Sequence, residues 1–190
     1  IDKQTEIQKI CLHKLQSSPL PNPKSELWRL SNKSKFSKLL DYSFNRKDPK
    51  VDTPYPYSSQ NTIRLLIGDN IDSQILLKEE NYSINQLSKD ELDKYIKQQI
   101  SYFDQNEHWS DLLNLSLSCE NNILGLKIKG SKIPPIEIFS HASSNSINAK
   151  TLVIFLEKNC DIELLQVNLG QENSSLSQST FFFLEENSSL

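Results

Sequence analysis

The side chains that could do chemistry are few and widely spread. The chain has three cysteines, Cys11, Cys119 and Cys160, and three histidines, His13, His108 and His141. Cys11 and His13 stand two residues apart. On a helix such residues do not face each other, and no second pair stands at the spacing of a zinc site. The expectation is a core cysteine beside an exposed histidine. Cys119 and Cys160 could each offer a thiolate to a metal cluster, but neither belongs to a Cys-x-x-Cys pair, and structural burial is expected of both. His108 adjoins Trp109 without a nucleophile and an identifiable base. His141 opens the polar stretch SHASSNSINAK, which reads as a solvated loop. Two carboxylate pairs remain. Asp90-Glu91 begins a helical pattern, where acids oppose the positive end of the helix dipole. Glu185-Glu186 follows an apolar strand at a turn. Neither pair has the surroundings that separate two carboxyl pKa values for acid–base work. Only four glycines occur in the chain, and none forms a phosphate-cradling loop. The residues therefore predict a protein that is not an enzyme, with no catalytic, cofactor-binding or metal-ligating residue.

The elements that must carry these side chains divide the chain in two. Residues 2–16 place Ile7, Ile10, Cys11 and Leu15 at helical spacing. Pro19, Pro21 and Pro23 stop that helix, because proline lacks the donor and restricts its predecessor. A short helix with Phe36, Leu39 and Leu40 on one face is expected next. Residues 45–61, with three prolines, read as an exposed loop or linker. In TIRLLIGDNIDSQILL the period changes to two, and Gly68-Asp69-Asn70 predicts a β-hairpin. Ser88 and Glu91 form a capping box at the start of a helix whose stripe is Leu92, Tyr95, Ile96, Ile100 and Phe103. A helix or turn is expected around Trp109–Leu115. Beyond residue 116 the helical period disappears. ILGLKIKG, PIEIFSHAS, TLVIFLEKN, DIELLQVNLG and STFFFLEEN read as short strands, with Leu124, Leu126 and Ile128 on one side and Lys127 and Lys129 on the other. The later strands are more uniformly apolar, as in a sheet covered on both faces. The expected organisation is residues 1–115 as an α/β cap of helices plus a hairpin, and residues 116–190 as a stack of strands.

Composition narrows the setting. The 190 residues carry a net charge of −3 with both signs mixed, so no basic field invites nucleic acid. No apolar run approaches the roughly 20 residues that span a bilayer. No secretory leader is visible, and three widely spaced cysteines suit a reducing, cytoplasmic compartment better than a disulfide framework. The chain begins with Ile1 and has no Met, which predicts that the natural start lies upstream.

One phrase occurs twice: FLEKNCDI, starting at Phe155, and FLEENSSL, starting at Phe183, with Phe, Leu, Glu and Asn at the same places in both. An echo of strand, glutamate, asparagine turn and apolar residue is what a solenoid produces, each copy burying a face on the next. Asparagine suits such a corner because it tolerates left-handed backbone angles. Two hairpins of a sandwich could also match over so short a length.

The stretch TLVIFLEKNCDIELLQVNLG, followed by STFFFLEENSSL, resembles the β-helix region of the SufB/SufD family, the scaffold proteins of iron–sulfur cluster assembly. Leu156–Asn159, Glu163, Gly170 and Thr180–Leu190 occupy the matching places. LWRLSN at Leu27–Asn32, NTIRLLIGDNIDSQI and LLNLSLSCENNILGLKIKGSKIPPIEI resemble three earlier family segments, in the family's order. The helices that precede the first strands are more similar to SufD than to SufB. Cys119-Glu120-Asn121-Asn122 and Ile128-Lys129-Gly130 depart from the family's turns.

The resemblance implies an α+β N-terminal region, then the start of a right-handed parallel β-helix, a single-stranded solenoid, truncated at FLEENSSL. It implies the N-terminal part of a scaffold subunit that acts with SufB- and SufC-type partners. The cluster is handled transiently by the full complex and no cofactor resides in this part. Self-association at the open end is expected. The alternatives are a secreted-type β-helix carbohydrate-active enzyme, which would line its sheet with more Asp, Arg or Lys than residues 151–170 offer, and an ABC-transporter-associated protein.

Overall fold

The computed structural model describes residues 6–17, 61–67, 76–104, 117, 123–142, 144 and 147–190. The architecture is mixed α+β. In chain order the elements are α1 (Glu6–Ser17), β1 (Ile63–Ile67), β2 (Leu76–Lys78), β3 (Tyr82–Gln86), α2 (Lys89–Asp104), β4 (Ile123–Gly130), β5 (Ile136–Ala142), β6 (Ile147–Leu156), β7 (Leu164–Gly170) and β8 (Ser175–Leu184). The short helix around residues 36–40, the 45–61 linker except Asn61, and the turn around Trp109 fall outside the described residues.

The strands form two open sheets. One has the order β1-β5-β7 and is parallel throughout. The other has the order β2-β3-β4-β6-β8, antiparallel from β2 to β4 and parallel from β4 to β8. Beyond Ile123 consecutive strands alternate between the sheets. Ile123 lies beside Thr151, Ile136 beside Leu164, and Ile147 beside Ser175. Each partner stands 28 positions further along the chain, in both sheets, as Asn187 does from Asn159. The spacing first seen in the two octets is thus the spacing of the backbone ladder.

Strand alternation decides which side chains meet between the sheets. Leu124, Leu126 and Ile128 of β4, Ile136 and Ile138 of β5, and Leu152, Ile154 and Leu156 of β6 join Ile67, Ile84, Cys160 and Ile162 in one buried cluster. Burying each such aliphatic is worth about 1.5–3 kcal/mol. A second cluster lies on the outer face of the larger sheet. There Ile7 and Cys11 of α1, Ile96 of α2, Leu87, Leu117 and Val153 are buried, with Phe181 and Phe183 packed against them. Gly125 opens this contact: a Cβ there would stand 2.8 Å from both Leu87 and Leu92 side chains.

Four expectations change. Residues 63–77 do not form a hairpin: β1 pairs with β5 and β2 pairs with β3, in different sheets. Pairing with β5 sets Ile63, Leu65 and Ile67 beside Ile136, Ile138 and Ser140, where they join the core. The actual hairpin turns at Glu79–Asn81, where Glu79 N–H donates to Tyr82 O at 2.9 Å. Ile10 is 47% exposed, because the buried face of α1 centres on Ile7, Gln8 and Cys11. His141 lies inside β5 rather than in a solvated loop, and is only 3% exposed. Finally, β7 is not uniformly apolar: Leu165 and Leu169 alternate with Gln166 and Asn168.

Strands from both sides of residue 116 share each sheet. No helix among the described residues is long and apolar enough to cross a membrane.

Candidate functional site

The turns after β6 and β8 bring the repeated octets into direct contact. Asn159 and Asn187 have φ of 58° and 57°, left-handed angles that asparagine accepts at lower cost than most residues. Their side chains stack: Asn187 Nδ2 donates to Asn159 Oδ1 at 3.2 Å. The backbones join as well. Glu185 N–H donates to Leu156 O at 3.0 Å, Asn159 N–H to Glu186 O at 3.1 Å, and Ser189 N–H to Cys160 O at 2.9 Å. The Ser189 hydroxyl donates to Asp161. Glu185-Glu186 is part of this seam. Glu185 accepts from Lys158 N–H at 3.1 Å, and Glu186 meets Lys158 Nζ at 3.2 Å. These carboxylates tie one turn to the next.

Glu91, beside Asp90 in the first turn of α2, closes the capping box with Ser88. Ser88 N–H and its hydroxyl donate to Glu91 Oε2 at 3.0 and 2.7 Å, and Glu91 N–H donates back to Ser88 Oγ at 3.3 Å. The Ser88 hydroxyl bond, then its backbone bond, holds the Glu91 carboxyl below its ordinary pKa, with Lys127 helping. Lys127 sits 3.7 Å from Glu91 and 3.4 Å from Glu157, with its ammonium 5.6 Å from the centre of the Phe155 ring. Burial alone would lower the Lys127 pKa, but its bond and attraction to Glu157, with Glu91, carry it above the ordinary value. Tyr95 of α2 covers the same spot, 5.1 Å from Phe155 and 4.6 Å from Phe183 between ring centres. Desolvation raises the Tyr95 pKa.

The cysteines go to separate places. Cys11 is buried in the cluster beneath α1, and Cys160 is buried between the sheets. His13 is exposed. Burial pushes the Cys160 thiol up, and the charges of Asp161 and Glu157 push it further. A thiol held protonated is a poor nucleophile and a poor metal ligand. Cys119, His108 and Trp109 lie outside the described residues. Among the described residues, no group of three or more His, Cys, Asp or Glu could hold a metal ion.

Lys150 is the residue that sequence reasoning passed over. It is fully buried in β6, and its Nζ donates to Ile67 O at 2.7 Å and His141 O at 3.0 Å. One side chain of the five-stranded sheet thus fastens β1 and β5 of the three-stranded sheet. The available signal was a lysine directly before the apolar run TLVIFL, with strand parity that turns it inward with Leu152 and Ile154. Beside it in register stands Gln178, whose amide atoms are buried and have no hydrogen-bond partner among the described residues. Further along the same gap Gln166 and Thr180 bond across the two sheets at 3.2 Å.

What this geometry offers chemically is cohesion and surface: laddered turns, a buried lysine staple and carboxylates paired with lysines. The chain matches no family model, no curated protein and no solved structure.

Proposed function

We propose that residues 123–190 wind as the first coils of a right-handed parallel β-helix, and that the chain is the N-terminal part of a SufD-like scaffold subunit of iron–sulfur cluster assembly. The observation that carries this reading is the offset shared by three parallel pairings, Ile123 with Thr151, Ile136 with Leu164 and Ile147 with Ser175. Two of these lie in one sheet and one in the other. A strand that returns to its own neighbour after a fixed length, by way of the opposite sheet, is the path of a single-stranded solenoid. The right-handed sense follows from the strong preference of parallel crossover connections. The family assignment rests on the order of four sequence segments and on the asparagine corner of the octets.

On this reading the chain performs no chemistry itself. It presents a rigid surface to a SufB-type subunit, while a SufC-type ATPase supplies the driving force. The cluster is cargo of the complex rather than a resident group. Co-expression with SufB- and SufC-type proteins tests the assignment. A complex that co-elutes on gel filtration is expected, and separate elution of all three would contradict it. Anaerobic reconstitution should load no stoichiometric cluster on the isolated chain.

A further inference from the structure

The outer face of β7 reverses the usual pattern of a strand. Gln166 points into the gap between the sheets, where it bonds Thr180. Strand alternation then turns Leu165, Val167 and Leu169 to the outside. Leu165 is 46% exposed, and Val167 and Leu169 are partly exposed. In register beside them stand Glu137, Phe139 and His141 of β5, all buried. Cover on this face therefore reaches β5 and thins over β7.

The two ends of the stripe are acidic. Glu163 and Glu172 bracket β7 at its two ends, and both are exposed. The other sheet shows what such a face accepts. Its outward Val153, Phe181 and Phe183 are covered by helical side chains, Ile96 and Tyr95 of α2 among them.

We infer that the outward stripe Leu165-Val167-Leu169 docks an amphipathic helix of a partner protein, with an aliphatic face on the stripe and lysine or arginine flanks against Glu163 and Glu172. Apolar contact supplies affinity, and the acidic brackets supply orientation and rate. The inference stands on β7 and its flanks, and does not depend on the identity of the assembly.

A designed helical peptide with a leucine face and lysine flanks is the probe, with its glutamate-flanked twin as control, read by fluorescence anisotropy on the whole chain. The lysine peptide should bind, and raising salt should weaken it. Leu165→Ser with Val167→Ser should weaken it about tenfold or more, with the melting temperature nearly unchanged because both sites are partly exposed. Glu163→Gln with Glu172→Gln should weaken it less, and mostly through the association rate. Equal binding of both peptides, or no loss in the serine variant, would overturn the inference. So would a dimer that the serine variant dissolves, which assigns the stripe to a second copy.

Discussion

The turns after β6 and β8 carry nearly the same chemistry, whereas the strand interiors that run into them do not. Asn159 faces Asn187, Asp161 faces Ser189, and both asparagines take left-handed angles. Between the sheets, the same offset sets Lys150 beside Gln178, Leu152 beside Thr180 and Ile138 beside Gln166. The turns are constrained by the backbone. A left-handed residue must stand at one place, and few residue types accept it. The interior is constrained by volume and by its distance from solvent. β6 and β5 are flanked on both sides by other strands, and an inward polar group between the sheets needs a specific partner, as Lys150 has in two carbonyls and Gln166 has in Thr180.

If interior and turn differ in this way, their variants should differ in kind. Leu152 is fully buried in the core, and Leu152→Ala should cost about 2–5 kcal/mol in denaturant unfolding. Thr180→Ala, at the matching place in β8, should cost well under half as much. Equal losses would erase the contrast between the two strands. Lys150→Met should cost about 1–3 kcal/mol, because two buried carbonyls lose their donor while the methionine fills most of the volume. A neutral result would mean that the staple contributes no more than packing.

The turns should respond to backbone geometry. Asn159→Ala should cost about 1–2 kcal/mol from the left-handed angle, and Asn159→Gly should cost less, since glycine accepts that angle freely. Alanine and glycine variants of equal stability would show that the amide contact, and not the backbone, sets the preference.

The smallest effect belongs to the helix cap. Ser88→Ala should cost about 1 kcal/mol. The Glu91 pKa is lower folded than unfolded. Its contribution is therefore present above the unfolded value and is lost as pH falls through the folded one. The Ser88 variant should lose most of that acid sensitivity, which pH-dependent melting would read.

The same contrast explains what could be read from the sequence. The octet echo was legible because a backbone requirement recurs at a fixed interval, and the capping box because its bonds join neighbours within one helical turn. The core positions of β4 followed from alternation. The hairpin at Gly68 failed because the local turn signal could not reveal that β1 has a better partner in β5, far along the chain. His141 failed because its polar neighbours were read as solvent-facing, whereas the strand runs on to Ala142. Lys150 was missed because its inward parity with Leu152 and Ile154 was not followed back past Thr151, and the two carbonyls it meets lie on other strands. The candidate site residues were legible mainly as individuals; which of them meet is fixed by the register between strands.

The central claim is that successive turns lie one above the next, at the fixed interval that separates Asn159 from Asn187. Disulfide trapping tests it directly. Lys158 and Glu186 are exposed and already in contact, and neighbouring strands stand about 4.8 Å apart, within reach of a disulfide. Lys158→Cys with Glu186→Cys should cross-link fully under mild oxidation and leave the fold intact, whereas Glu186→Cys paired with Gln171→Cys, off by half an interval, should not. Rapid cross-linking of the offset pair, with none in the matched one, would contradict the account.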